Sequence, residues 1–185
     1  MDLYGKTVLV CGMGRSGAGA AGLLRRNSAI VTLQDINESP NFGENFDPAG
    51  YNTYFGKNPD DILENFDMLV VSPGVPTGLP FFAKAQKLGI PLIGEMELAA
   101  AYCKAPILAI TGTNGKTTTT SLLGAIIAAK NPQSPTVGNI GVAFSNLADS
   151  IPADALVAAE VSSFQLETIR DFRPLVSAVL NISRD

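Results

Sequence analysis

Residues 110–120, ITGTNGKTTTT, place Gly112, Gly115, Lys116 and Thr117 in the order that phosphate chemistry needs. Backbone N–H groups surround phosphate oxygens only where no side chain blocks the approach, which the two glycines allow. Lys116 adds a point charge and the Thr117 hydroxyl is a magnesium ligand. The first turn of a following helix offers unpaired N–H groups and its positive dipole end to the same anion. The expected ligand is a triphosphate; the motif is silent about the reaction. One position departs from the common pattern G-x-x-x-x-G-K-[ST], because its first glycine is Ile110 here.

Two further groups of residues belong with this loop. Glu160 closes an apolar run, ALVAA (155–159), and a carboxylate at the carboxyl end of a neighbouring strand can reach a magnesium ion held by the triphosphate and Thr117. The structural alternatives for Glu160 are pairing with Lys116 or capping the helix that Val161-Ser162-Ser163 opens. Near the start, Gly12, Gly14 and Gly17 fit G-x-G-x-x-G after a strand, and Asp35 lies about where the dinucleotide fingerprint places its ribose-binding acid. Such a unit binds NAD or another nucleotide, or serves as a structural turn.

The composition narrows the chemistry. Histidine is absent, which removes Ser-His and Cys-His machineries and histidine-based zinc sites. A net charge of −4 with scattered Lys and Arg gives no basic face for nucleic acid. Cys11 and Cys103 lie in or beside apolar runs without C-x-x-C spacing, so reduced core thiols and a cytoplasmic location are expected. No apolar run approaches the length of a membrane span and no basic leader precedes the first strand pattern. The 46% hydrophobic content with 18 Gly and 12 Pro suits an α/β protein whose tight loops join buried strands.

The elements that must position these residues follow from periodicity. Buried strands are expected at Thr7–Cys11, Ile30–Gln34, Met68–Ser72, Pro91–Ile93, in the apolar run that opens the Pro106–Ala129 stretch, at Ala155–Ala159 and at Val176–Leu180, with shorter extended pieces at 51–55 and 136–137. Helices are expected after the first glycine turn to about Asn27, from Asn58 with Pro59 at its first position and Asp60 and Asp61 at its positive end, over Pro80–Leu88, over Glu95–Tyr102, and after the phosphate loop to Ala129. Residues 36–50 form a polar loop. Ser72-Pro73-Gly74-Val75-Pro76 makes a rigid loop at a strand's carboxyl end, where open α/β sheets bind ligands, although plain turn chemistry explains it equally. Glu95 and Glu97 are structural. The expected fold is an α/β protein with a Rossmann-like parallel-sheet domain, residues 1–94, followed by a truncated P-loop mononucleotide-binding domain, residues 95–185.

TGTNGKTTT, VGNIG (137–141) and EVSSFQLE (160–167), together with SPGVP (72–76) and the N-terminal glycines, resemble the Mur ligases of peptidoglycan synthesis, most nearly their D-glutamate-adding branch. That family's loop reads T-G-T-N-G-K-[ST], so Ile110 is in keeping with it. The resemblance implies that the first domain binds the UDP part of UDP-N-acetylmuramoyl-L-alanine through Arg15, Ser16, Asp35, Ile36, Asn37, Ser72, Pro73 and Gly74. It implies ATP on Gly112, Thr113, Asn114, Gly115, Lys116, Thr117 and Thr118, magnesium on Thr117 and Glu160, and the muramoyl side on Asn139 and Ser162. The implied reaction forms an acyl phosphate that D-glutamate attacks, with Lys116 and Glu160 as the catalytic pair, in a monomer. It further implies a histidine just past Asp185, a later carbamylated lysine and a C-terminal domain, so the 185-residue chain is expected to bind the UDP substrate without turnover. A sister ligase adding another amino acid, an NAD-dependent dehydrogenase and a non-catalytic nucleotide-binding module are the alternatives.

Overall fold

A computed structural model describes residues 1–42 and 46–183. Of the expected 36–50 loop, residues 43–45 lie outside that description, as do the last two residues of the terminal NISRD string. The described elements run β1 (Thr7–Cys11), α1 (Arg15–Arg26), β2 (Ile30–Asp35), β3 (Asn52–Phe55), β4 (Met68–Val71), α2 (Pro80–Lys87), β5 (Leu92–Gly94), α3 (Glu95–Tyr102), β6 (Ile107–Thr111), α4 (Lys116–Lys130), β7 (Thr136–Gly138), β8 (Val157–Glu160), α5 (Ser163–Leu166) and β9 (Val176–Val179). Two parallel sheets result, ordered β3-β2-β1-β4-β5 and β7-β8-β6-β9.

The central strands carry unbroken apolar runs because both sheet faces are covered. In the first sheet Val8, Val10, Met68 and Val70 face α1 and α3, whereas Leu9, Cys11, Leu69 and Val71 face Phe81, Phe82 and Ala85 of α2. The first of these cores continues without a break through Met96 and Leu98 into Ile107, Val137, Phe144 and Val157. One apolar body therefore carries both sheets. Cys11 is fully buried, and desolvation pushes its thiol far above the ordinary range; it and Cys103 are both free thiols.

Helix α1 lies directly on the turn that precedes it. A Cβ at Gly17 would stand 1.8 Å from the Gly12 carbonyl oxygen, a backbone atom with no freedom to yield. Gly17→Ala is therefore expected to force helix and turn apart at a cost of about 2 kcal/mol, which a thermal melt would read as a fall of roughly 4–8 °C.

The helix expected from Asn58 does not form. Only residues 56–67 separate β3 from β4, and the chain crosses by tight turns in which Ile62 N–H donates to Pro59 O, Asn65 N–H to Ile62 O and Phe66 N–H to Leu63 O. The acids meant for a first helical turn are used elsewhere: Asp61 accepts from the Tyr54 hydroxyl and pairs with Lys57. The expected bounds shift by a residue or two in other elements, most consequentially at β8, where Glu160 is the last residue of the strand itself.

Polar contacts fix the two sheets relative to each other. Arg26 clasps Asp149 with two bonds of 2.9 Å and also donates to the Ser145 carbonyl. Buried Glu95 accepts from the Ser145 N–H at 2.7 Å and its hydroxyl at 2.6 Å. Burial raises the Glu95 carboxyl above its ordinary 4.5, and the two Ser145 bonds only partly oppose that rise. The folded chain thus holds this proton more tightly than the unfolded chain does, so the group's contribution to stability falls as pH rises from about 4.5 through the raised value. Glu95→Gln is expected to flatten that part of the pH profile, measured as the difference between the variant and parent thermal midpoints across pH 4–8.

Candidate active site

The two loops singled out in the sequence leave the carboxyl ends of neighbouring strands. In the first sheet the strand order reverses between β1 and β4, and the turns that follow them, Gly12–Ser16 and Ser72–Pro76, flank the crevice where open sheets bind ligands. In the second sheet β6 delivers the Gly112–Gly115 loop beside β8, with Ile110 and Gly138 both in register with Glu160. The two crevices open toward each other.

The phosphate loop is held from three sides. Gly112 and Gly115 take φ of +143° and +83°, backbone that side chains other than glycine rarely adopt. Lys116 Nζ donates to the carbonyls of Gly112 at 2.6 Å and Thr113 at 3.0 Å, so its charge sits across the loop mouth. Asn181, just past β9, grips Asn114 by both backbone groups at 2.9 Å, while Ser183 N–H donates to the Thr113 hydroxyl. Thr117 and Thr118 are exposed at the start of α4.

Glu160 pairs with neither Lys116 nor the helix that follows. Its Oε1 accepts from Asn139 Nδ2 at 2.9 Å, its backbone carbonyl accepts from the Asn139 N–H, and its buried Oε2 has no hydrogen-bond partner. The cap of α5 is Ser162, in a reciprocal box with Gln165. An unpartnered carboxylate oxygen one strand from the phosphate loop fits a divalent cation. Among the described residues no cluster of three His, Cys, Asp or Glu exists.

In the first crevice Asp35 Oδ2 accepts the Met13 N–H at 2.8 Å, and Oδ1 accepts both N–H groups of Asn37. Arg15 reaches across to the Gly141 carbonyl, tying the start of α1 to the turn beyond Asn139.

Two cavities follow from these loops. One of about 440 Å³ is lined by Gly12–Ser16, Asp35, Ile36, Asn37, Ser72, Pro73, Gly74 and Asn139. The other, about 1220 Å³, is lined by Ser72–Gly78, Gly112, Thr113, Lys116, Asn139 and Ser162. Asn139 and the Ser72–Pro76 loop thus border both. Asn114, Gly115, Thr117, Thr118 and Glu160 line neither cavity; all but Glu160 are exposed. Sequence reasoning missed Asn58 and Gln165 in the smaller cavity and Thr77, Phe164, Glu167 and Asn181 in the larger. For Gln165 the signal was the S-x-x-Q capping spacing; for Asn181 nothing local pointed to the loop that it clamps.

Residues 6–94 match the family described as Mur ligase MurD-like, N-terminal domain, and residues 110–185 match Mur ligase middle domain. The chain is 46% identical over 188 residues to UDP-N-acetylmuramoylalanine--D-glutamate ligase of Lachnospira eligens, and 43% identical over 190 residues to the ligase of the same name in Caldicellulosiruptor saccharolyticus. Each match takes in all of this chain and 42% of the relative, so the chain spans less than half the length of these proteins. Among solved structures, the UDP-N-acetylmuramate:L-alanyl-gamma-D-glutamyl-meso-diaminopimelate ligase of Neisseria meningitides aligns with a TM-score of 0.62 at 21% identity, over 98% of this chain and 62% of that one. UDP-N-acetylmuramate-alanine ligase of Thermotoga maritima aligns with a TM-score of 0.60 at 22% identity, over 97% of this chain and 42% of that one. At those identities the likeness speaks for the fold. With two parallel sheets in the expected order, a phosphate loop on the second and both family descriptions matched along its length, the chain belongs to the Mur ligase family, carrying a MurD-like N-terminal domain followed by the Mur ligase middle domain.

Proposed function

We propose that this chain supplies the UDP-substrate and ATP sites of a ligase that joins D-glutamate to UDP-N-acetylmuramoyl-L-alanine. Residues 1–94 form the UDP-binding domain and residues 95–185 the ATP-binding part. The observation that carries the proposal is Asn139: it borders both cavities and bonds to Glu160, so one residue links the nucleotide crevice of the first sheet to the phosphate loop of the second.

In this reading, uridine and diphosphate occupy the smaller cavity, with Arg15 and Ser16 at the start of α1 and Asp35, Ile36 and Asn37 along one wall. The muramoyl L-alanine extends past Asn139 and Ser162 toward the phosphate loop. ATP lies on Gly112–Thr118, its phosphates drawn to the loop N–H groups, the α4 N-terminus and Lys116. The alanine carboxylate oxygen attacks the γ-phosphorus and ADP departs; the D-glutamate amine then attacks the acyl carbon, loses a proton and expels phosphate. Lys116 offsets the repulsion between a carboxylate and a polyanion, and the rigid loops keep the reactants in line. Thr117 and Glu160 would hold magnesium, which supplies charge neutralisation at the transferring phosphoryl group.

Asp35 holds the glycine turn and Asn37 through its two oxygens and so shapes one wall of the smaller cavity. A cytoplasmic location belongs to the same proposal; among the described residues no helix is long and apolar enough to cross a membrane. The chain works as a monomer in this proposal. Calorimetric titration with UDP and, separately, NADH tests the assignment of the smaller cavity: saturable UDP binding without NADH binding is expected, and NADH binding alone would replace this reading by a dehydrogenase.

A further inference from the structure

Among the described residues, two buried side-chain oxygens lack any hydrogen-bond partner: Glu160 Oε2 and the hydroxyl of Thr120. Thr120 lies in α4 and is 0% exposed, Glu160 1%. A helix threonine ordinarily satisfies its hydroxyl by bonding back to the carbonyl one turn earlier. Thr120 makes no such bond.

The strand register brings Thr120 and Glu160 to the same end of the seam between α4 and the second sheet. Gly124 of α4 lies against β7, since a Cβ there would stand 2.0 Å from the Thr136 hydroxyl oxygen. Thr120 is on the same helix face one turn toward the phosphate loop. One helical turn rises roughly 5.4 Å, close to the advance of two strand residues at about 3.3 Å each. Moving two residues from Thr136 along β7 reaches Gly138, the register partner of Glu160. Thr120 also follows Lys116 by four residues, so it shares the lysine's face of α4.

We infer that the Thr120 hydroxyl is the positioning partner of the Glu160 carboxylate for a divalent cation, an inference that rests on the cation reading of Glu160 proposed above. Asn139 fixes Oε1; Thr120 supplies the polar group that sets the direction of Oε2. No direct bond joins the two oxygens, so the hydroxyl acts through a water held by the cation, from which it accepts or to which it donates. Thr117 faces solvent at the head of the helix, so Thr120 covers the buried side that Thr117 does not reach.

The test uses Mn2+ alone, with free Mn2+ counted by electron paramagnetic resonance against the 185-residue chain and its Thr120→Val, Thr120→Ser, Thr120→Ala and Glu160→Gln variants. Replacing an outer-shell partner of a metal ligand typically costs 10–100-fold in affinity. Thr120→Val, which keeps shape and loses the hydroxyl, is expected to weaken Mn2+ binding about tenfold, with Thr120→Ser within about twofold of the parent. A merely structural hydroxyl would leave the affinity of Thr120→Val unchanged, since removing an unpartnered buried group spares the fold. That result, with Glu160→Gln still losing the ion, overturns the role of Thr120 alone. Unchanged binding in Glu160→Gln, or no Mn2+ binding by the parent, overturns the cation reading as well. Should Thr120→Val fail to fold, parent-like affinity in Thr120→Ala overturns the inference and a loss restored by Thr120→Ser supports it.

Discussion

Replacing Glu97 by alanine is expected to lower the thermal midpoint by roughly 6–12 °C and to weaken binding in the cleft at the same time. The Glu97 carboxylate, 4% exposed, accepts three consecutive backbone N–H groups from a segment distant in sequence: Arg170 at 2.8 Å, Asp171 at 3.0 Å and Phe172 at 3.1 Å. Removing it strands three donors at once. A fully buried orphan costs about 1–3 kcal/mol; with Arg170 and Asp171 themselves exposed, water recovers part of that, and a total of about 3 kcal/mol follows from the same principle. Residues 170–172 continue from α5, whose Ser162 and Gln165 line the cavities, so the loosening reaches the substrate side. Glu97→Gln keeps an acceptor oxygen and is expected to fall between alanine and the parent. Differential scanning calorimetry checks the stability, and a UDP titration of the same samples checks the coupling; a midpoint unchanged in Glu97→Ala would contradict this account of the joint.

The second large effect belongs to Lys116. Lys116→Ala is expected to weaken ATP binding by about 10–100-fold, the worth of a charge-assisted hydrogen bond or two, while UDP affinity stays within about twofold, because no part of the first cavity is lined by this side chain. Two losses combine in the alanine variant. The positive charge at the loop mouth disappears, and so do the two bonds through which Nζ ties the Gly112 and Thr113 carbonyls. Arginine is expected not to restore binding, since its planar fork does not fit a compact three-donor position within the loop. Isothermal titration of the parent, alanine and arginine forms measures this directly; ATP affinity retained in Lys116→Ala would remove the phosphate loop from the site.

The sheets were legible because their strands are buried on both faces, which turns TVLVC, MLVV and ILAIT into apolar runs that no surface element would carry. The phosphate loop was legible for a local reason too: strand, glycines, lysine and helix follow one another within a dozen residues. Long-range partners were not. Nothing within a few residues of Glu95 or Glu97 announces that one meets Ser145 and the other residues 170–172; acids in a first helical turn suit the dipole equally well when they only face solvent. Asn58 misled because its Pro and Asp neighbours are good helix openers, whereas the path between β3 and β4 runs through tight turns and one short 3-10 turn at Leu63–Asn65. Asp35 was found by its spacing, but spacing carried no hint that Met13 and Asn37 take up its oxygens.

The central claim is that one cleft holds two different nucleotides that meet at Asn139. Backbone amide NMR of the 185-residue chain, titrated first with UDP-N-acetylmuramoyl-L-alanine and then with a non-hydrolysable ATP analogue and Mg2+, tests it most directly. The account predicts shifts at Gly12–Ser16, Asp35–Asn37 and Ser72–Gly74 with the first ligand, at Gly112–Thr118 with the second, and at Asn139 and Glu160 with both, each ligand leaving the other bound. Displacement of one ligand by the other, or shifts confined to a single loop for both, would contradict it.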